Sequence, residues 1–132
     1  MDHYSDDTAA NKTALGLLRI ITAFLFIPHG AQKLFGALGQ NPVELLSLSG
    51  VAGVLEFFGG LAILIGLFTR PIAFVLSGLM AAAYWIAHGF KDFWPILNGG
   101  EKAVLYCFIF LFLFIYGGGS FSVDGWLQKR KK

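Results

Sequence analysis

A chain of 132 residues that is 56% hydrophobic, 16% aromatic and only 14% charged would have too little interior, as a soluble domain, to hide 14 Phe, three Trp and four Tyr. Its mean hydropathy of +0.67 points to the integral-membrane class. The formal charge of +2 gathers in the C-terminal run Lys129–Lys132, which reads as a basic flank beside a membrane and not as a nucleic-acid surface. The single cysteine, Cys107, excludes an internal disulfide or dithiol pair.

The opening stretch "MDHYSDDTAANK" is polar and acidic, with no basic region before its apolar segment and no cleavage signature after it. It is expected to be a tail, residues 1–12, attached to a first span that stays in the protein. Four apolar segments follow, at about 13–35, 51–68, 71–88 and 101–117, forming a membrane domain over 13–127 with a basic tail over 128–132. Roughly 20 helical residues cross a hydrocarbon core of about 30 Å. The segments are too long for transmembrane strands and lack a barrel's period-2 alternation. The fold class is therefore all-α, a transmembrane four-helix bundle.

Between the first two spans, "NPVELLSL" is expected to form a short helix on the membrane surface, capped by Asn41 with Pro42 at its first position. Thr69–Pro71 reads as a tight turn, and the stretch Gly89–Gly100 as an aromatic, Gly-rich interfacial loop. With four spans, Lys12, Arg70 and the basic tail share one side, while Lys33, Lys91 and Lys102 lie on the other. The excess of positive charge places both termini in the cytoplasm, where the tail would also attract anionic headgroups.

The stretch "FLFIPHGAQKLFG", Phe24 to Gly36, interrupts an apolar run with polar groups. On a helix, Arg19, Thr22, Phe26, His29 and Lys33 share one face, a stripe that lipid would penalise and that should face the bundle interior. In the second span Gly53, Glu56 and Gly60 share a face, and the glycines allow another helix to come close. A buried carboxylate needs a partner, so Glu56 is expected to contact Lys33, His29 or Arg19. The third span ends in Tyr84 and His88. The fourth begins with Asn98, Glu101, Lys102 and Tyr106 near its outer end. Most of these groups are expected to gather in one half of the bundle, with Arg19 nearer the opposite end.

Each group also has a plainer role. A Lys–Glu pair can fix helix register, Lys33 and Lys102 can snorkel to headgroups, and two histidines without a third ligand make a weak metal site, so no metal is assigned. Tyr84, Trp85, Phe93 and Trp94 suit an interfacial aromatic belt.

The runs "LLRI…HGAQKLFG", "GVLEFFGGLAILIGLFTR", "M…AY…H" and "FWPILNGGEKAVLYCFIFL…GGGSFSVD" resemble the DoxX family of small four-helix membrane proteins over about Leu15–Asp124. The resemblance implies a multi-pass protein of the bacterial plasma membrane, and an association with membrane oxidoreductase systems that use quinone. It singles out Arg19, His29, Gly30, Lys33, Glu56, Gly59, Gly60, Thr69, Arg70, Asn98, Gly99, Gly100, Glu101 and Asp124, none with a catalytic role to carry over. Two readings follow. In one, the chain is an accessory or quinone-interacting subunit of an oxidoreductase, with Arg19, His29, Lys33, Glu56, His88, Asn98, Glu101, Lys102 and Tyr106 as the candidate polar cluster. In the other it is a non-catalytic membrane assembly or binding partner. A small transporter is a third possibility and would call for a homodimer.

Overall fold

The structure, a computed structural model, describes residues 8–132, and every regular element among them is helical. Thr8 starts the first helix: its backbone is extended and its hydroxyl accepts the amide of Asn11 at 3.1 Å, an N-cap. Helix α1 then runs Ala9–Phe35, through Pro28. The expected tail is thus already helical from Ala9, and residues 1–7 of it lie outside the described residues. A single 3₁₀ turn, Ala37–Gly39, follows. After it come α2 (Leu48–Ile65), α3 (Thr69–Ala87), the one-turn α4 (Pro95–Asn98), α5 (Glu101–Tyr116) and α6 (Val123–Arg130).

Helices α1, α2 and α3 are long and apolar enough to cross a membrane. At 16 residues, α5 is about 24 Å long and falls short of the same length.

Three local expectations are corrected. The surface helix over "NPVELLSL" does not form: residues 40–44 are irregular, and Val43 donates its amide to the Lys33 carbonyl at 2.8 Å, tying the segment back to α1. Asn41 therefore caps no helix, and α2 is capped by Ser47, its Oγ accepting the Gly50 amide at 3.0 Å. The chain reverses at Gly66–Phe68 instead of Thr69–Pro71, with φ 69° at Gly66 and 49° at Phe68. Thr69, Arg70 and Pro71 form the first turn of α3, where proline forfeits no intrahelical bond. Finally, part of the basic tail is helical in α6, which Ser122 caps by accepting the Gly125 amide at 3.1 Å.

Packing pairs α1 with α2 and α3 with α5. Phe26 of α1 joins the two pairs, meeting Phe110 and Tyr106 of α5 edge-on at centroid distances of 4.9 and 5.1 Å. The buried core is small (Ala23, Phe26, Ile63, Ala73, Leu76, Met80, Phe110 and Leu113), while Phe24, Phe58, Phe74 and Phe108 point outward. That inversion suits a protein whose solvent is lipid.

The first turns of α1 and the segment leading into α6 meet at one end of the bundle. Ser120 donates its amide to the Lys12 carbonyl at 2.9 Å, and Asp124 donates its own to Gly66 at 2.9 Å.

Candidate functional site

The predicted residues separate into three places. The first is set by a glycine contact. A Cβ on Gly30 would stand 2.5 Å from the Phe57 backbone nitrogen and 2.8 Å from the Gly53 carbonyl oxygen, so α1 and α2 touch backbone to backbone there. Lys33 and Glu56 each lie three residues beyond those glycines, one turn along both helices. The close approach brings them together: Lys33 Nζ donates to both carboxylate oxygens of Glu56, at 2.7 and 2.9 Å. Glu56 is the partner that the polar stripe calls for, and Lys33, not His29 or Arg19, takes it.

The burial is unequal. The Glu56 side chain is 4% exposed and that of Lys33 33%, so the ammonium sits at the rim of the bundle with the carboxylate behind it. An ammonium has three donors, and the pair uses two of them. One turn below Lys33, His29 faces Tyr106 of α5 edge-on at a centroid distance of 6.1 Å. Lys33, Glu56, His29 and Tyr106 thus form one polar face contributed by α1, α2 and α5, with Lys102 exposed one turn before Tyr106 on α5. Glu101 is exposed in the first turn of α5.

The second place is the loop between α3 and α5. Asn98 is buried there and serves as its hub. Its Nδ2 donates to the Tyr84 hydroxyl at 3.0 Å and to the Asp92 carbonyl at 3.0 Å, and its Oδ1 accepts the Gly100 amide at 2.8 Å. His88 Nδ1 lies 2.9 Å from the Asn98 carbonyl, which can only accept, so the ring proton belongs on Nδ1. His88 and Asn98 therefore serve the loop and do not join the Lys33–Glu56 face.

Arg19 occupies the third place, at the end where α1 meets the segment leading into α6. It is fully buried, and its guanidinium donates to the carbonyls of Gly118, Ser120 (3.0 Å) and Phe121 (2.7 Å). Gly118 is glycine because a Cβ there would lie 2.9 Å from Thr69 Oγ1 and 3.3 Å from Arg19 Nη1. Asp124 completes this latch, accepting the amides of Phe68 and Thr69 at 2.8 Å each and capping α3, which has no side-chain cap of its own. Sequence reasoning gave Arg19 no such partner. The available signal was the run "GGGSFSVD", whose glycines leave the backbone carbonyls uncovered.

An apolar cavity of about 410 Å³ opens between α2 and α3, lined by Val54, Leu55, Phe58, Gly59, Pro71, Ile72, Val75 and Leu76. None of the candidate polar residues lines it.

A family model described as DoxX matches residues 14–89. Among curated proteins, the chain is 38% identical over 127 residues to an uncharacterized protein of Haemophilus influenzae, covering 88% of this chain and 92% of that one. It is 34% identical over 119 residues to the inner membrane protein YqjF of Escherichia coli (85% and 90% covered) and 30% identical over 134 aligned positions to the inner membrane protein YphA of the same organism (92% and 95%). No solved structure matches significantly.

Proposed function

The chain belongs to the DoxX family and is a multi-pass protein of the bacterial inner membrane; from that premise we propose that it is a four-span accessory subunit of a membrane oxidoreductase system, presenting the Lys33–Glu56 face to a quinone headgroup. The spans are α1, α2, α3 and α5, with both termini in the cytoplasm. The meeting of α1, α3 and the C-terminal segment at one end supports an even number of crossings. Arg70 and the basic run Lys129–Lys132 belong to that end, which supports its being the inner one.

The observation that carries the reading is the half-open ion pair. A buried carboxylate held by an ammonium at the bundle's rim, beside an imidazole and a phenol, is an arrangement that can both donate to a carbonyl oxygen and relay a proton. Lys33 keeps a donor beyond the two used on Glu56. Among the described residues, His29 makes a ring contact with Tyr106 and no hydrogen bond, so its nitrogens are available. A quinone would supply two-electron, two-proton redox chemistry from outside the chain. The chain's own part is to hold the headgroup with Lys33, His29 or Lys102 and to take or give a proton at Glu56 Oε or the His29 imidazole.

The bidentate closure of Lys33 on Glu56 favours a second reading, in which the pair locks the α1–α2 register of a non-catalytic assembly partner. One experiment separates the two. The protein is purified in mild detergent and extracted for quinone, alongside Lys33→Gln, His29→Ala and Glu56→Gln variants. Quinone retained by the parent and lost from folded variants is the expected result. A quinone-free parent that brings down a stoichiometric protein partner would replace the first reading with the second.

A further inference from the structure

The loop between α3 and α5 carries large apolar side chains that the described residues leave mostly exposed. Phe90, Phe93, Trp94, Ile96 and Leu97 are each between 61% and 87% exposed, at the end of the bundle opposite the termini. We infer that this loop is seated in the interfacial layer of the leaflet on that side, where it completes the crossing that α5 is too short to make.

Helix length supplies the first reason. At about 24 Å, α5 leaves roughly 6 Å of a hydrocarbon core of about 30 Å unspanned. Helix α4 and the residues before it directly precede α5, and their apolar side chains are the material available to fill that gap.

Hydrogen bonding is the second reason. Irregular backbone is tolerated at membrane depth only where its polar groups find partners within the protein. Asn98 provides those partners from a buried position, taking the Gly100 amide and donating to the Asp92 carbonyl. The Trp94 amide is taken by Asp92 Oδ1 at 3.0 Å, and the Leu97 and Asn98 amides by the Trp94 carbonyl at 2.9 and 3.0 Å. The loop is therefore tied to itself and to Tyr84, with its apolar side chains turned outward. Lys91 and Asp92, both exposed, limit the depth to the headgroup boundary.

The inference rests on α5 being a span, and the test keeps the two claims apart. Two single-tryptophan proteins are reconstituted in phosphatidylcholine bilayers brominated either just below the headgroup or deep in the acyl chain. One retains Trp94 after Trp85→Phe and Trp126→Phe. The other combines Trp85→Phe, Trp94→Phe and Trp126→Phe with Phe108→Trp, a reporter at an exposed position midway along α5. Trp94 emission is expected to fall most with the shallow bromines and to resist aqueous iodide, while the Phe108→Trp reporter falls most with the deep ones. If the Phe108→Trp reporter is quenched by deep bromines but Trp94 answers only to iodide, α5 spans and the loop stands in water as a docking surface for a protein, which overturns the inference. A Phe108→Trp reporter that no lipid bromine quenches would overturn the four-span reading itself.

Discussion

Replacing Arg19 by Met keeps a long, flexible stem in the same space and removes the side-chain donors that reach the carbonyls of Gly118, Ser120 and Phe121. A hydrogen bond to a charged group contributes about 1.5–3 kcal/mol, and an abandoned buried acceptor costs about 1–3 kcal/mol. The guanidinium's own desolvation works in the opposite direction, because Met has no charge to bury. With three coupled bonds and that offset, the expected loss is about 3–5 kcal/mol, a large share of the 5–15 kcal/mol typical of a folded domain. Arg19→Lys is expected to recover little of it, since one ammonium cannot fan out to three carbonyls as a planar guanidinium does. Thermal unfolding in detergent reads the global cost, and amide hydrogen exchange reads the latch itself. Exchange over residues 117–124 should accelerate in Arg19→Met while the centre of α2 changes less. Parental exchange in that segment together with an unchanged Tm would show that the carbonyls are held by the loop's own geometry and that Arg19 is a passenger.

Gly30→Ala should destabilise more than Gly60→Ala. The new Cβ meets the Phe57 and Gly53 backbone at Gly30 but the Ile27 side chain, 2.7 Å away, at Gly60; overpacking of about 1–3 kcal/mol applies in full only to the first, and reversed Tm values would refute the ordering. Asp124→Ala removes the cap shared by the Phe68 and Thr69 amides, for an expected loss of about 1–2 kcal/mol in thermal unfolding, with Asp124→Asn losing less. Breaking a buried pair typically costs about 3–5 kcal/mol, but the Lys33 side chain, a third exposed, can be rehydrated, so Glu56→Ala is expected to cost only about 1–3 kcal/mol, with Glu56→Gln milder. Equal Tm values for the two Glu56 variants would mean that the charge, not the side-chain volume, carries the whole effect. Asn98→Ala frees the Tyr84 hydroxyl, the Asp92 carbonyl and the Gly100 amide and should increase chymotrypsin cleavage at Phe90 and Phe93, an increase whose absence would deny Asn98 its role as hub.

The polar stripe on α1 could be read from the sequence because two constraints coincide: the helical period puts Arg19, His29 and Lys33 on one face, and lipid excludes that face. The same logic required a partner for Glu56 and proposed three candidates. What it could not do was choose among them, because depth along a helix says nothing about rotation or separation. The choice is made by Gly30 and Gly53: their missing side chains let the antiparallel backbones touch and let Lys33 pack directly over Gly53, within reach of Glu56 one turn along α2. Depth alone also assigned His88 and Asn98 to the same cluster as Lys33. The bundle instead pairs α1 with α2 and α3 with α5, leaving two polar groups at similar depth on different helix pairs. Arg19 was the least legible of all. Its partners are carbonyls about a hundred positions away in sequence, and a carbonyl is carried by every residue, so no residue type marks it. Yet a buried, uncapped helix start and a buried guanidinium at one end each require a specific kind of partner, acceptors for both. Asp124 and the backbone carbonyls of one short segment answer both demands. The C-terminal segment is therefore part of the fold's closure, and removing it would expose the start of α3 and the charge inside α1 together.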